Sequence, residues 1–271
     1  MRIPFTKAHG AKNDFLLTWA ADAPIDDLGA AAIAICDRHT GVGADGWLIV
    51  NLPPEGETAY DARIRLFNPD GGEVEMSGNG TRCAAAFLMD SGVEKPGITI
   101  LTGAGLKQMS VLEVDGVKYD FEMNMGRPKW NADELHYPLT LASDQFDCTI
   151  LNVGNPQCAV FVSDFNLDWR AAGAGIERHP HFPNRTNVSF IRRVDENSID
   201  VRFFERGAGE TMSSGTGSTG AAAAAVLRGM VKSPIQVLTP AGTLELKWNG
   251  GEDDVFLTGP AEIVASGEFY Y

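Results

Sequence analysis

Two serines mark the positions where this sequence could do chemistry. Ser77 opens Ser77-Gly78-Asn79-Gly80-Thr81-Arg82-Cys83-Ala84-Ala85-Ala86, and Ser214 opens Ser214-Gly215-Thr216-Gly217-Ser218-Thr219-Gly220-Ala221-Ala222-Ala223. The two stretches lie 137 residues apart, and the offset holds upstream without a gap: Arg65 pairs with Arg202, Phe67 with Phe204, Gly72 with Gly209 and Glu73 with Glu210. A glycine-rich turn lets backbone approach a ligand closely because no Cβ intervenes. The first turn of a helix offers free N–H groups and the positive end of its dipole, which suits a carboxylate or phosphate. Two such units could present Ser77 and Ser214 to one ligand from opposite sides.

Positioning them requires, in each copy, a strand, a glycine-rich turn and then a helix. The strand Ala62–Phe67 ends on Asn68-Pro69-Asp70-Gly71, a strong turn signal, and Val201–Phe204 ends on Glu205-Arg206. The alanines behind each glycine turn have high helix propensity and small side chains, so each helix can sit in a tight interior. Residues 26–37 predict a further helix, followed by a loop rich in glycine, His39 to Gly46, and the strand Trp47–Val50. Alternation predicts strands over 98–102, 108–114 and 118–124, with Asp115-Gly116 as a hairpin turn. Asn13, between apolar strands, stands either in a plain hairpin bend or with its amide facing a cleft. Short strands with a single good helix per half predict an α+β, barrel-like unit and not a doubly wound parallel sheet.

Composition narrows the function. With 271 residues and an internal repeat, two related halves are expected, divided near residue 120. The apolar fraction is 44% and the charged fraction 21%, enough for a core in each half. A net charge of −14 without a Lys/Arg cluster speaks against a nucleic-acid partner. The start, Met1 to Lys7, has no apolar leader and no run long enough to span a bilayer follows, so a cytoplasmic protein without membrane association is expected. Cys36, Cys83, Cys148 and Cys158 show no C-x-x-C spacing, which predicts buried, reduced thiols and no zinc site. Gly215 to Gly220 fits G-x-G-x-x-G, but a polar turn separates it from the preceding strand and no acid lies near position 240, so a dinucleotide site is not expected. No nucleophile elbow supports a Ser-His-Asp hydrolase.

The motifs taken together resemble the diaminopimelate epimerase family from end to end. They are H-G-x-x-N-D-F (His9 to Phe15), C-D-R-H-x-G-V-G-A-D-G (Cys36 to Gly46), F-N-x-D-G (Phe67 to Gly71) and x-G-N-G-x-R-C (Ser77 to Cys83). G-N-P-x-C (Gly154 to Cys158), R-T-N-V (Arg185 to Val188) and E-R-G-A-G-E-T (Glu205 to Thr211) complete the set. The resemblance implies two pseudosymmetric halves, each an antiparallel barrel-like sheet around a central helix, with the substrate in the cleft between them. The N-terminal half would be residues 1–120 with a C-terminal strand 262–271, and the C-terminal half residues 121–261. It implies a cofactor-independent isomerase, with no metal, that inverts the α-carbon of LL- or meso-diaminopimelate. Its partner is a small amino-acid substrate, and a homodimer is the family-level expectation. Gly78-Asn79 and Gly215-Thr216 would hold the carboxylate of the reacting centre. Asn13, Asn68, Asn155, Asn187, Glu205 and Arg206 would grip the distal amino-acid centre.

The chain departs from the family at the acid–base pair. The family has cysteines before G-N-G and before G-T-G, where this chain has Ser77 and Ser214, and it has Gln157 for the family's histidine in G-N-P-H-C. Stereoinversion needs a base on one face of Cα and an acid on the other. A thiol suits both roles because its pKa, roughly 8.5, falls further at a helix N-terminus. A serine hydroxyl needs another base. Three readings remain open: a native serine variant, including one acting on a related amino acid as an isomerase or dehydratase; a pair of Cys→Ser replacements; or a silent amino-acid-binding relative.

Overall fold

The computed structural model describes residues 1–23 and 26–271. The chain begins with β1 (Arg2–Gly10), β2 (Asn13–Trp19) and the helix α1 (Leu28–Cys36). It continues through β3 (Gly46–Asn51), β4 (Ala62–Phe67), β5 (Glu73–Val74), α2 (Gly78–Asp90), β6 (Gly97–Thr102), β7 (Gly105–Asp115) and β8 (Lys118–Gly126). Next come β9 (Lys129–Trp130), β10 (Tyr137–Leu141), β11 (Asp144–Asn152), β12 (Pro156–Phe161) and α3 (Trp169–Glu177). The last elements are β13 (Asn187–Arg193), β14 (Ser198–Glu205), β15 (Gly209–Thr211), α4 (Gly215–Leu227), β16 (Ile235–Thr239), β17 (Gly242–Lys247) and β18 (Val255–Tyr270).

Two compact units result: Met1–Met123 with Gly259–Tyr271, and Asn124–Thr258. In the first unit the hydrogen-bonded order β1-β2-β3-β4-β6-β7-β8-β18 returns to β1, a closed barrel of eight strands. The second unit repeats the order with β11, β12, β13, β14, β16, β17 and β18. The offset of 137 residues places the span of α2 onto that of α4, residue for residue. In both units the pairs are antiparallel apart from β2/β3, β4/β6, β12/β13 and β14/β16. Parallel neighbours need a crossover, and each of these four connections contains one of the four helices.

Why the central helices can be central is visible in their side chains. From Gly78 to Leu88 every residue of α2 is buried, and from Gly215 to Ala225 every residue of α4. The polar side chains of these helices are small or, as with Arg82, hydrogen-bonded, and Ala84–Ala86 and Ala221–Ala225 keep the helix diameter small. β3 is buried on both faces, Trp47 to Val50, which is why it reads as an unbroken apolar run and not as an alternation. One face meets α2, and the other joins α1 through the cluster of Ala31, Ala32, Ile35, Trp47 and Ile49.

α3 is an element the sequence did not announce, and it gives the second unit another helix beside α4. Gly173 and Gly175 lower its helix propensity. They are required by packing: a Cβ on Gly173 would sit 2.8 Å from Phe204 Cβ, and one on Gly175 would sit 2.7 Å from Leu141 Cδ2. Trp169, Ala172 and Ile176 of α3 join Phe190 and Val188 in the core of that unit, and Asp168 caps the helix by accepting the Ala171 N–H at 3.1 Å.

Candidate active site

In the first unit the strand β4 ends in the turn Asn68–Gly71, closed by the Gly71 N–H donating to Asn68 O at 2.9 Å. The chain then passes β5 and enters α2 at Ser77, whose extended backbone makes it the N-cap. Ser77 Oγ accepts the Gly80 N–H at 3.1 Å and Ser77 O accepts the Thr81 N–H at 2.8 Å. The N–H groups of Gly78 and Asn79 have no acceptor among the described residues, so the first turn is open to an anion. The second unit repeats this. Ser214 Oγ accepts the Gly217 N–H at 3.0 Å and Ser214 O the Ser218 N–H at 2.9 Å, leaving Gly215 and Thr216 in the equivalent places.

Asn13 follows a two-residue turn, Ala11-Lys12, in which both residues take positive φ, 49° and 61°. That conformation suits a tight hairpin but is unfavourable for side chains with a Cβ. The turn delivers Asn13 to α2: its Oδ1 accepts from Asn79 Nδ2 at 3.1 Å, and its Nδ2 donates to Asp45 Oδ2 at 2.7 Å. The hairpin is realised, and the Asn13 amide is bonded to α2 and to Asp45.

Two residues behind this amide pair were quoted in motifs but not singled out. Asp45, in the glycine-rich loop before β3, fixes the Asn13 amide orientation. Burial pushes its carboxyl up, opposed by the Asn13 hydrogen bond. Arg82, one turn into α2, is fully buried and donates to Asn79 Oδ1 at 2.6 Å, Pro260 O at 3.2 Å and Gly78 O at 3.4 Å. Burial lowers its pKa to about 10, so it remains a cation at neutral pH beneath the open helix turn. Spacing could have flagged it, because i and i+3 share a helix face and Arg82 lies three residues after Asn79. Asp14, next to Asn13, is pushed up by burial, but hydrogen bonds and charge from Arg38 and Lys7 outweigh this and lower it to about 2.

In the second unit a similar amide chain reaches α4. Gln157 Nε2 donates to Asn155 Oδ1 at 2.7 Å, and Asn155 Nδ2 donates to Thr216 Oγ1 at 3.3 Å. Asn187 Oδ1 accepts the Arg206 N–H at 3.0 Å while its Nδ2 donates to Pro156 O at 3.1 Å, tying the ends of β12 and β14 to β13. Glu205, the last residue of β14, holds two hydroxyls: Thr211 Oγ1 donates to Oε1 at 2.6 Å and Ser214 Oγ donates to Oε2 at 2.7 Å. Thr211 had no place in the sequence-based site.

None of the thiols can replace the serines. Cys83 is fully buried and burial pushes it up to about 12; Cys36 is pushed up to about 12 in the same way. Cys158 is raised well above its ordinary value by its hydrogen bond to Cys148 and by burial. The two open helix turns, each capped by a serine and backed by oriented amides, can hold a carboxylate and present a hydroxyl beside it.

The sequence profile of the diaminopimelate epimerase family matches residues 5–131 and 149–264. The chain is 42% identical over 279 residues to a diaminopimelate epimerase of Azoarcus sp., covering 99% of both proteins. It is 37% identical over 282 residues to that of Halothermothrix orenii, covering 99% of this chain and 98% of the relative. Among solved structures, a hydroxyproline epimerase from Agrobacterium vitis superposes with a TM-score of 0.74 at 16% identity, over 98% of this chain and 92% of that one. A PhzF-family phenazine biosynthesis protein from Bacillus anthracis superposes with 0.68 at 17% identity, over 99% of each chain. At such identities the two structures speak for the fold alone.

Proposed function

The chain belongs to the diaminopimelate epimerase family, and from that premise we propose that it is an amino-acid isomerase converting LL- to meso-diaminopimelate in lysine and peptidoglycan precursor synthesis. The proposed setting is the cytoplasm, where that precursor is built; among the described residues no helix is long and apolar enough to cross a membrane. The observation that carries the reading is the matched pair of helix N-termini at Ser77 and Ser214, each with two backbone N–H groups that find no acceptor among the described residues.

In this assignment Gly78, Asn79, Gly215 and Thr216 bind the α-carboxylate of the reacting centre. Negative charge that develops there when Cα loses its proton is stabilised by fixed N–H dipoles. The buried Arg82 guanidinium adds a positive charge behind the first of these turns. Ser77 and Ser214 are assigned the two proton transfers, one to take a proton and one to return it. Asn13, Asn68, Asn155, Asn187, Glu205 and Arg206 are assigned to the distal centre, whose ammonium and carboxylate call for an acid, an Arg and oriented amides. We assign no cofactor to the reaction.

The test is incubation with LL-diaminopimelate in D2O, following α-deuterium and meso product by NMR, beside a Ser77→Cys/Ser214→Cys form. Meso product from either protein supports the reading. Tight binding with neither exchange nor product from both would leave a silent binding protein and overturn it.

A further inference from the structure

Glu177, the last residue of α3, is a buried carboxylate that the proposed reaction does not use. Its side chain is 3% exposed, whereas the two arginines paired with it, Arg178 and Arg185, are 72% and 51% exposed. Arg178 Nε donates to Oε2 at 3.0 Å. Oε1 takes donors from two other segments, Arg185 Nη1 at 3.3 Å and the Gly207 N–H at 3.3 Å. Ion pairs do not by themselves favour burying an acid, because desolvation offsets much of what such a pair gains. The Gly207 contact gives the burial a purpose, since it ties α3 to the turn that follows β14.

Arg206 lies between two anchored peptides. Its own N–H donates to Asn187 Oδ1 at 3.0 Å, and the next N–H, that of Gly207, donates to Glu177. A peptide unit is planar. Fixing the plane on each side of the Arg206 Cα therefore fixes φ and ψ there, and with them the direction in which the side chain leaves. The turns after β4 and β14 close alike, the Gly71 N–H on Asn68 O and the Ala208 N–H on Glu205 O. Beyond that they differ. The first turn anchors itself, with Asp70 Oδ1 accepting the Gly72 N–H at 2.9 Å. At the offset of 137 residues Asp70 becomes Gly207, which has no side chain to do this, and the carboxylate comes from α3. The same Oε1 holds Arg185, whose φ of 60° is unfavourable for a residue with a Cβ, where the chain turns into Thr186 and Asn187.

We propose that Glu177 is a positioning residue for the distal amino-acid centre. It sets the Arg206 backbone directly and steadies the approach to Asn187 through Arg185. This rests on the epimerase reading, in which Asn187 and Arg206 bind that centre. Glu177 itself touches no substrate and moves no proton.

The experiment measures the Kd of LL-diaminopimelate by titration calorimetry for the full chain and its Glu177→Gln, Glu177→Asp and Ile176→Val forms, with a urea midpoint for each. Glutamine keeps the reach of an acceptor oxygen to Gly207 and gives up the charge. Aspartate keeps the charge and gives up the reach; exposed arginines can follow the shorter side chain, but a backbone N–H cannot. Glu177→Asp should weaken binding about tenfold or more, and Glu177→Gln should stay within about threefold. Ile176→Val, in the same turn of α3, should lower the urea midpoint without changing Kd. With the Glu177→Asp change added to Ser77→Cys/Ser214→Cys, the loss should appear in KM more than in kcat, the mark of binding held equally in ground and transition states.

A Glu177→Gln form weakened as much as Glu177→Asp would make Glu177 a plain ion-pair partner and overturn the proposal. So would a Kd that follows the urea midpoint through all the forms, Ile176→Val included. Equal, tight binding by every form would overturn it and leave the epimerase reading standing. Binding by neither the unchanged chain nor Ser77→Cys/Ser214→Cys would overturn both.

Discussion

A hydroxyl can take the place of a thiol in size but not in acidity, so at the residue scale the neighbours decide what each serine can do. Ser214 has a carboxylate and Ser77 has none among the described residues. Neither spacing nor composition could supply that difference. Glu205 was named from its motif, but its contact with Ser214 depends on how the β14–β15 turn folds back on α4. Asp45 and Arg82 were harder still, since their role is to orient other side chains. The same local reasoning disposes of the cysteines. Cys36, Cys83, Cys148 and Cys158 are all buried, and three of them have pKa values pushed upward. A thiol reagent at pH 8 should therefore find no rapidly reacting group in the native protein and all 4 after unfolding. A fast-reacting native thiol would bring a cysteine back as a candidate acid–base group.

At the scale of elements the repeat made half the work easy. Strand, turn and helix were readable in both copies because each carries the same sequence signal, and continuous apolar runs such as Trp47–Val50 marked strands covered on both faces. α3 was not readable, because its two glycines serve packing against Phe204 and Leu141 and weaken the local helix signal. Equivalent glycines in the two central helices allow a sharper comparison. A Cβ on Gly217 would sit 2.8 Å from Phe203 Cδ1 and 2.9 Å from Ser214 Oγ, whereas one on Gly80 would meet Ser77 Cβ at 3.3 Å and Phe15 at 3.4 Å. Alanine gains up to about 1 kcal/mol of helix propensity over glycine. Overpacking a full interior costs about 1–3 kcal/mol. Gly217→Ala should thus destabilise the protein, with a lower urea midpoint, while Gly80→Ala should stay within about 1 kcal/mol of the unchanged chain. Equal losses in both would mean that the two units are packed alike around their central helices.

At the scale of the whole molecule, charge sets how the fold responds to acid. At pH 7 the chain carries −14, and the charge reaches zero near pH 4.7. Self-repulsion therefore relaxes as pH falls towards that point. Asp45 acts in the same direction: burial raises its pKa, so its carboxylate opposes folding at high pH and the penalty is lifted as it takes a proton. Asp14 acts in the opposite direction. Its pKa is lowered from 3.8 to about 2 by Arg38 and Lys7 against the pull of burial. Its contribution is complete above 3.8 and is lost as pH falls through about 2, because only the unfolded chain binds the proton in that window. Stability should consequently hold or rise slightly between pH 7 and 5 and drop below 4, with the steepest loss in the Asp14 window. Urea unfolding between pH 2 and 7 tests this, with Asp14→Asn as the comparison. The variant should be less stable at neutral pH, since Arg38 and Lys7 lose their partner, and its stability should change less between pH 4 and 2. An acid limb of unchanged steepness in Asp14→Asn would place the acid sensitivity elsewhere among the carboxylates.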